Sequence, residues 1–486
     1  MFSTRSALFI CIIGLVAVSS CKPVVAHDGE EDHQHPIVAV KPADYYAPTA
    51  MPDRIVLTWA DDPRTTQSVT WRTSVEVSQG LAQIALATAG PKFVTEAKEF
   101  KAVSEALKTD INTAHFHSVT FRDLKPGSVY AYRVGDGVNW SEWFHFRTTS
   151  AEVEPFSFVY FGDAQNSIRS LWSRVLREAQ RDAPKASFFL HAGDLVNRAE
   201  SDAEWGEWFG AGGWLNAMLP VVAIPGNHEQ ARKEDGTRRL SRHWKPTFTF
   251  PENGPKGQEE SCYTFVYQNV RFVCLNSNQM QAEQTKWMDE VLAKNKQPWV
   301  ICTFHHPIYS TGKDRDNVEL RALWKPILDK YRVDLVLQGH DHTYGRTGFD
   351  VPPVSEADRA ALKARMAEAI ESGSVGVGFK NVPTGVQNIE KAAGTVYVVS
   401  VSGPKMYDNN RKWFMRRLAE DTQLYQIIHV DGRRLRFEAR TATGELYDSF
   451  ELVKQPGEVN KIIETGAEVG ENLRPLQPAA ASEAAK

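Results

Sequence analysis

The chain has little cysteine, no excess of charge of either sign and, beyond its first twenty residues, no long apolar run. Only 5 of 486 residues are cysteine, and Cys11 and Cys21 lie in the N-terminal segment. The remaining Cys262, Cys274 and Cys302 are too few for a disulfide framework of the kind that staples small secreted domains. Lysine and arginine number 56 against 60 aspartate and glutamate, a formal charge of −4. That balance gives no nucleic-acid-binding surface, which shows as a basic patch and a high pI. After residue 20 no apolar run reaches the ~20 residues that a membrane-spanning helix needs. A hydrophobic content of 42% and a charged content of 24% are ordinary for a globular protein. The length implies about two to four domains.

The ends are not fold. Residues 1–21 read as a targeting segment, with Arg5 as its positive head and Leu8 to Val18 as its apolar core. Two cleavage sites compete. Val18-Ser19-Ser20-Cys21 resembles a bacterial lipobox, which leaves Cys21 lipidated, whereas Val24-Val25-Ala26 offers a small-residue site before His27. Lys22 and Pro23 fit poorly between an apolar core and the second site, which favours the lipoprotein. Both make the protein exported: periplasmic, an outer-membrane lipoprotein or secreted, touching a membrane only through a lipid on Cys21. Residues 22–49 read as a His- and acid-rich tether, and residues 455–486, rich in Ala, Glu and Pro, as a disordered tail.

Between these ends stand five short segments: Gly162-Asp163, Gly193-Asp194, Gly226-Asn227-His228-Glu229, His305-His306-Pro307 and Gly339-His340-Asp341-His342. Each follows a short apolar run of strand type: Phe158 to Phe161, Phe188 to Leu190, Val221 to Ile224, Trp299 to Cys302 and Leu335 to Leu337. In α/β folds ligands bind in the crevice at the carboxyl ends of buried strands. Aspartate, asparagine and histidine are the oxygen and imidazole donors that suit iron, zinc or manganese. A single Gly-Asp is usually a turn; five such segments, each closing an apolar run, point to a metal centre.

This set resembles the calcineurin-like metallophosphoesterases from about Phe156 to Pro404, and within them the purple acid phosphatases. Residues 50–150 resemble the fibronectin-III-like N-terminal domain of that family, through Ile55-Val56-Leu57-Thr58-Trp59, Ser68-Val69-Thr70-Trp71 and the stretch His117 to Gly135. The residues agree by themselves: alternation broken by turns at Pro126-Gly127 and Gly135-Asp136-Gly137 reads as a β-sandwich. The expected architecture is therefore an all-β sandwich followed by a four-layered α/β/β/α domain over 151–454. A surface insertion at 352–392, helical from Glu356 to Glu371, borders the mouth of the site. A hairpin turn at Gln268-Asn269 pairs position 262 with 275, so Cys262 and Cys274 face opposite sides of the sheet and stay free and buried.

The resemblance implies a two-metal centre. One ion takes Asp163, Asp194 and His342; the other takes Asp194, Asn227, His305 and His340, with Asp194 bridging. The metals are two divalent or trivalent ions, Fe, Zn or Mn. Purple acid phosphatases carry a tyrosine three residues after the bridging Asp, where this chain has Asn197, and Gln165 stands where other members carry a histidine. Gln165 and Asn197 are accordingly candidate amide-oxygen ligands, and without a phenolate the protein is not expected to be purple. Catalysis is assigned to His228, Asp194, Glu229 and His306: His228 as donor to the leaving oxygen, Glu229 as the carboxylate that orients it, His306 facing the substrate. Attack is by metal-bound hydroxide. His191 reads as a packing residue, Tyr344 and Arg346 as candidate substrate contacts, and Trp205 to Trp214 as a stacking surface. Three functions fit: a phosphomonoesterase acting on small phosphate esters, a phosphodiesterase or nucleotide hydrolase on the same scaffold, and a non-catalytic metal-bearing surface-binding protein.

Overall fold

Alternating apolar residues between 53 and 147 build two antiparallel sheets of four strands each. In the computed structural model residues 39–371 and 393–475 are described. The targeting segment, Cys21, the His-rich part of the tether, residues 372–392 of the insertion and residues 476–486 lie outside them. By compactness the chain divides into residues 1–41 and 42–486, and everything below concerns the second unit. Strand Gln67–Ser74 pairs along its whole length with Thr113–Phe121, and Trp71, Phe121, Tyr132 and Phe146 fill the space between the sheets. This is the expected sandwich.

The second domain is two stacked seven-stranded sheets. In one, Phe156–Phe161, Phe189–His191 and Val221–Ala223 run parallel, continued by antiparallel strands from Leu424–Asp431 onward. In the other, Val270–Cys274, Trp299–Thr303, Leu335–Gln338 and Val396–Val399 run parallel. Because side chains alternate across a strand, each parallel strand feeds two cores. Phe272, Ile301, Leu335 and Val396 pack inward against Phe158, Ile427 and Phe437 of the facing sheet. Val273, Cys302, Val336 and Tyr397 point outward to Met288, Leu292, Leu323 and Trp324, on helices Gln281–Ala293 and Val318–Lys330. Burial on both faces explains the unbroken apolar runs of these strands. The hairpin pairs Tyr263 with Cys274, so Cys262 falls in the outer core and Cys274 in the inner one; all three cysteines are free and buried.

Two boundaries move. The ordered body begins at Pro42, inside the expected tether: Pro42–Tyr45 is a helical turn, and Tyr46 lies over Gly206, where a Cβ would come within 2.3 Å of its ring. At the other end, the expected disordered tail contains a strand. Lys461–Glu464 pairs antiparallel with Leu446–Val453, Ile462 packs against the core, and Glu464 accepts a hydrogen bond from Arg346 at 2.7 Å. Flanking Pro, Gly and Glu hid this short β-branched run, and only its partner edge gives it a reason to order. The inserted helix Glu356–Glu371 is present as expected. Among the described residues no helix is long and apolar enough to cross a membrane.

The sandwich is bolted to the catalytic domain by a buried ion cluster. Asp202, at the start of helix Asp202–Gly212, accepts from Arg54 at 2.6 and 3.0 Å and from Arg72 at 3.4 Å. Leaving such a buried charge without its partner costs about 3–5 kcal/mol.

Truncation after Gln455 removes the last strand and one carboxylate partner of the buried Arg346. Thermal unfolding of the truncated chain is expected about 4 °C or more below that of the full chain; an unchanged midpoint would show the strand to be dispensable.

Candidate metal centre

All five motifs emerge at the carboxyl ends of parallel strands, three from one sheet and two from the other. Asp163 follows Phe156–Phe161, Asp194 follows Phe189–His191 and Asn227 follows Val221–Ala223. His305 follows Trp299–Thr303, and His340 and His342 follow Leu335–Gln338. Ligand atoms of Asp163, Asp194 and His342 lie within 4.8 Å of one another, and so do those of Asp194, His305 and His340. Asp194 belongs to both groups. Asn227 Oδ1 joins the second, 2.7 Å from His340 Nδ1 and 3.1 Å from His305 Nε2.

The proton inventory shows what these atoms are arranged for. His305 Nδ1 lies 2.8 Å from the Ala192 carbonyl and His342 Nδ1 lies 2.9 Å from the Lys405 carbonyl. Each ring must donate there, which turns the lone pair of its Nε2 inward. Inside, His305 Nε2 is 3.2 Å from Asp194 Oδ2, His342 Nε2 is 3.2 Å from Asp163 Oδ2, and Asp163 Oδ2 has no hydrogen-bond partner. Acceptors at these separations repel unless positive charge stands between them. The donor set and the geometry therefore fit metal cations. The same field acts on protons: burial works against a charge on His305, yet Asp194 and Asp163 raise its pKa to about 9. Burial likewise opposes ionisation of Asp163, but His305 and His342 hold its carboxyl below the ordinary range.

The backbone is bent to make this convergence. Asp194 has φ 53° and His340 φ 73°, left-handed values that cost a non-glycine residue about 1–3 kcal/mol. Glu229 stabilises the first. Its buried carboxylate accepts the backbone N–H of Asp194 and Gly226 at 2.8 Å on one oxygen, and those of Leu195 and Val196 at 2.8 and 3.2 Å on the other. Burial and the Asp194 charge push Glu229 up to about 8 while these N–H donors pull it down. A Cβ on Gly226 would stand 2.1 Å from Asp194 Oδ1, and one on Gly339 2.2 Å from Asp163 Oδ1, so both approaches require glycine.

The remaining candidates divide. His228 lies beside Asp194, its backbone N–H donating to Asp194 Oδ1 at 2.8 Å. Glu229, however, does not orient it; the His228 Nδ1–H donates to the Asn197 carbonyl at 2.6 Å, because all of Glu229 is taken by the bridging loop. Asn197 thus meets His228 through its backbone. Gln165 Nε2 sits 3.0 Å from Asp194 Oδ2 and 2.9 Å from His342 Nε2, with Oε1 unpartnered. His306 packs against His340, ring centroids 4.3 Å apart. Burial, then the charges of His305, Arg315 and Arg238, keeps it far below the usual imidazole range. His191 is a packing residue: it stacks on Phe161, and burial pushes its pKa down to about 3. Tyr344 and Arg346 are not substrate contacts. Both are buried and bound to Asp448 at 2.6 and 2.7 Å, because the strand Tyr344–Thr347 carries their side chains into the core. Trp205 and Trp208 are likewise core, leaving only Trp214, 61% exposed, on the surface.

Several participants carried no sequence signal. Ala192 and Lys405 act through carbonyls, which any residue supplies. Tyr407 covers His342, centroids 4.6 Å apart, and Arg315 is held over the site's edge by Asp341 at 2.6 Å. The Asp341 between two ligand histidines was a visible hint: its carboxylate gathers Ser310, Thr311 and Gly312.

The calcineurin-like phosphoesterase family matches residues 156–344, and the purple acid phosphatase N-terminal domain matches residues 52–148. The chain thus carries a calcineurin-like phosphoesterase domain behind a purple acid phosphatase N-terminal domain, and its homologues are purple acid phosphatases, which are metal-dependent phosphoesterases. It is 28% identical to acid phosphatase type 7 of Homo sapiens over 334 residues, 62% of this chain and 72% of that protein. It is 27% identical to the probable purple acid phosphatase 20 of Arabidopsis thaliana over 248 residues, 48% of this chain and 56% of that protein. The solved purple acid phosphatase PPD1 of yellow lupin (Lupinus luteus) superposes with a TM-score of 0.60 at 16% identity, covering 89% of this chain and 78% of that one; at that identity the likeness speaks for the fold.

Glu229→Ala strips four backbone donors of their acceptor. We expect a stability loss of about 3 kcal/mol or more in denaturant unfolding, accompanied by loss of bound metal; a stable variant with full metal content would show that Glu229 does not hold the bridging loop.

Proposed function

We propose that the protein is an exported phosphomonoesterase that works through two metal ions, one held by Asp163, Asp194 and His342, the other by Asp194, Asn227, His305 and His340. The observation that carries the reading is the shared Asp194 between two groups of inward lone pairs. A bridging carboxylate is how a protein holds two cations at the spacing of phosphoester hydrolysis. When bound, such ions acidify water and neutralise the phosphoryl oxygens.

The chain's own groups do the rest. With Nδ1–H fixed on the Asn197 carbonyl, His228 presents Nε2, the atom that delivers a proton to the leaving oxygen when the ring is charged. At His306, Ser277 Oγ accepts the backbone N–H at 3.0 Å and lies 2.8 Å from Nδ1. In the tautomer in which the hydroxyl donates to Nδ1, the imidazole carries its proton on Nε2 as a donor for a phosphoryl oxygen. Gln165 is the fourth protein ligand of the first ion: turning its amide brings Oε1 to the point now 2.9–3.0 Å from His342 and Asp194. Asn197 offers a second amide at the position where the family's tyrosine stands. Export follows from the segment 1–21.

The test is phosphate release from an aryl monophosphate by the full chain loaded with Mn, Zn or Fe, beside a bis-aryl phosphate and with bound metal counted. Wild type is expected to hold close to two ions and prefer the monoester. Asp194→Asn is expected to lose more than the ~100-fold typical of outer-shell changes; two ions without turnover of either ester would refute the hydrolase, and preference for the diester would refute the monoesterase. A separate measurement addresses Gln165. Gln165→Leu is expected to weaken one of the two metal affinities by about 10–100-fold, and the ferric protein to show no visible tyrosinate band; equal affinities in both proteins would remove Gln165 from the ligand set.

A further inference from the structure

Beside the metal centre lies a cavity of about 460 Å³, with Asn227 and His306 at its inner end. That volume falls in the range of small-molecule sites, roughly 300–1,000 Å³. Its outer wall carries Arg238, on the strand that follows the ligand segment, and Arg365, on the inserted helix Glu356–Glu371. The chain as a whole is slightly acidic, yet among the described residues Glu319 is the single carboxylate lining this space.

The two arginines differ from their neighbours. Arg239 and Arg242 are both taken by Glu200, and Arg321 is taken by Asp316 and Asp358. Arg238 and Arg365 have no ion pair among the described residues. Their supports are fixed: Asp358 ties the inserted helix to Arg321 at 2.7 Å, and the hairpin carrying Arg238 pairs directly with Gln230–Arg232. The side-chain amides of Gln230, Asn278 and Asn317 line the cavity together with Leu320, Leu323 and Leu362, a wall that offers hydrogen-bonding groups for hydroxyls beside an apolar patch.

We infer that this cavity is a subsite for a second anionic group: the substrate is a small polar phosphate ester that carries another phosphate on its leaving-group side, gripped by Arg238 and Arg365 while the first phosphate meets the metals. The guanidinium fork matches phosphate oxygens in pairs, and unpaired arginines around a concave wall concentrate field on such a ligand. The inserted helix, which the fold does not otherwise need to form the metal centre, thereby becomes the element that selects the substrate. The inference rests on the hydrolase reading for which end of the ligand meets the metals.

The probes are alkane-α,ω-diphosphonates of graded length and the matching monophosphonates, which cannot be hydrolysed, titrated calorimetrically into the manganese-loaded full chain. At one spacer length the diphosphonate is expected to bind about tenfold or more tightly than its monophosphonate. In Arg238→Gln/Arg365→Gln that ratio is expected to fall to about one, and Arg238→Glu alone should lower it further than Arg238→Gln. Equal affinities at every length in wild type, or a ratio that survives the double substitution, would overturn the subsite. Since no turnover is read, discrimination without esterase activity would keep the subsite and sink the hydrolase, and the converse would do the opposite.

Discussion

Six side chains converge with metal-binding atoms as little as 2.7–3.2 Å apart. Nothing else in the structure is so unfavourable by itself, and much of the surrounding architecture exists to impose it. Two carbonyls fix the tautomers of His305 and His342, two glycines let backbone pass within contact of carboxylates, and Asp194 and His340 accept left-handed backbone. Cations bound there would relieve the repulsion, which would couple folding to metal binding.

Glu229 shows how the cost is met. A carboxylate buried beside another carboxylate is destabilised by desolvation and by like charge, and its pKa rises accordingly. It remains because four backbone N–H groups, three from the bent loop at 194–196 and one from Gly226, point at it. The loop needs the carboxylate and the carboxylate needs the loop. A similar exchange operates at Asp341, which sits between two ligand histidines and organises the segment 310–312. Both acidic residues stand next to ligands in sequence, yet they serve the backbone.

The sandwich and the inserted helix connect to this centre by charge. Asp202, clamped by Arg54 and Arg72 of the sandwich, begins the helix whose Glu204 accepts the backbone N–H of Asn197 at 2.8 Å, and the Asn197 carbonyl holds His228. The chain of contacts runs from the interdomain clamp to His228, beside Asp194. On the opposite side the inserted helix is tied to Arg321 and lines the cavity beside the metals.

The candidate ligands stood out in the sequence because each is a short polar motif closing an apolar run, and strand ends are where an α/β fold collects ligands. The register of the 263–274 hairpin was legible for a related reason: a two-residue turn fixes the pairing, and pairing fixes the face. Roles that depend on orientation were not. Adjacency alone suggests that Glu229 serves the neighbouring histidine, but a side chain in a tight turn points where the turn sends it. Tyr344 and Arg346 were assigned to the substrate because they follow a ligand, but a strand that begins there carries them into the core. The strand at 461–464 escaped notice because a four-residue edge strand orders only against its partner. Residue identity and local pattern thus determined which atoms could bind metal. Long-range packing alone decided which backbone groups each carboxylate would serve and which arginines would be left unpaired, since both depend on segments far apart in sequence.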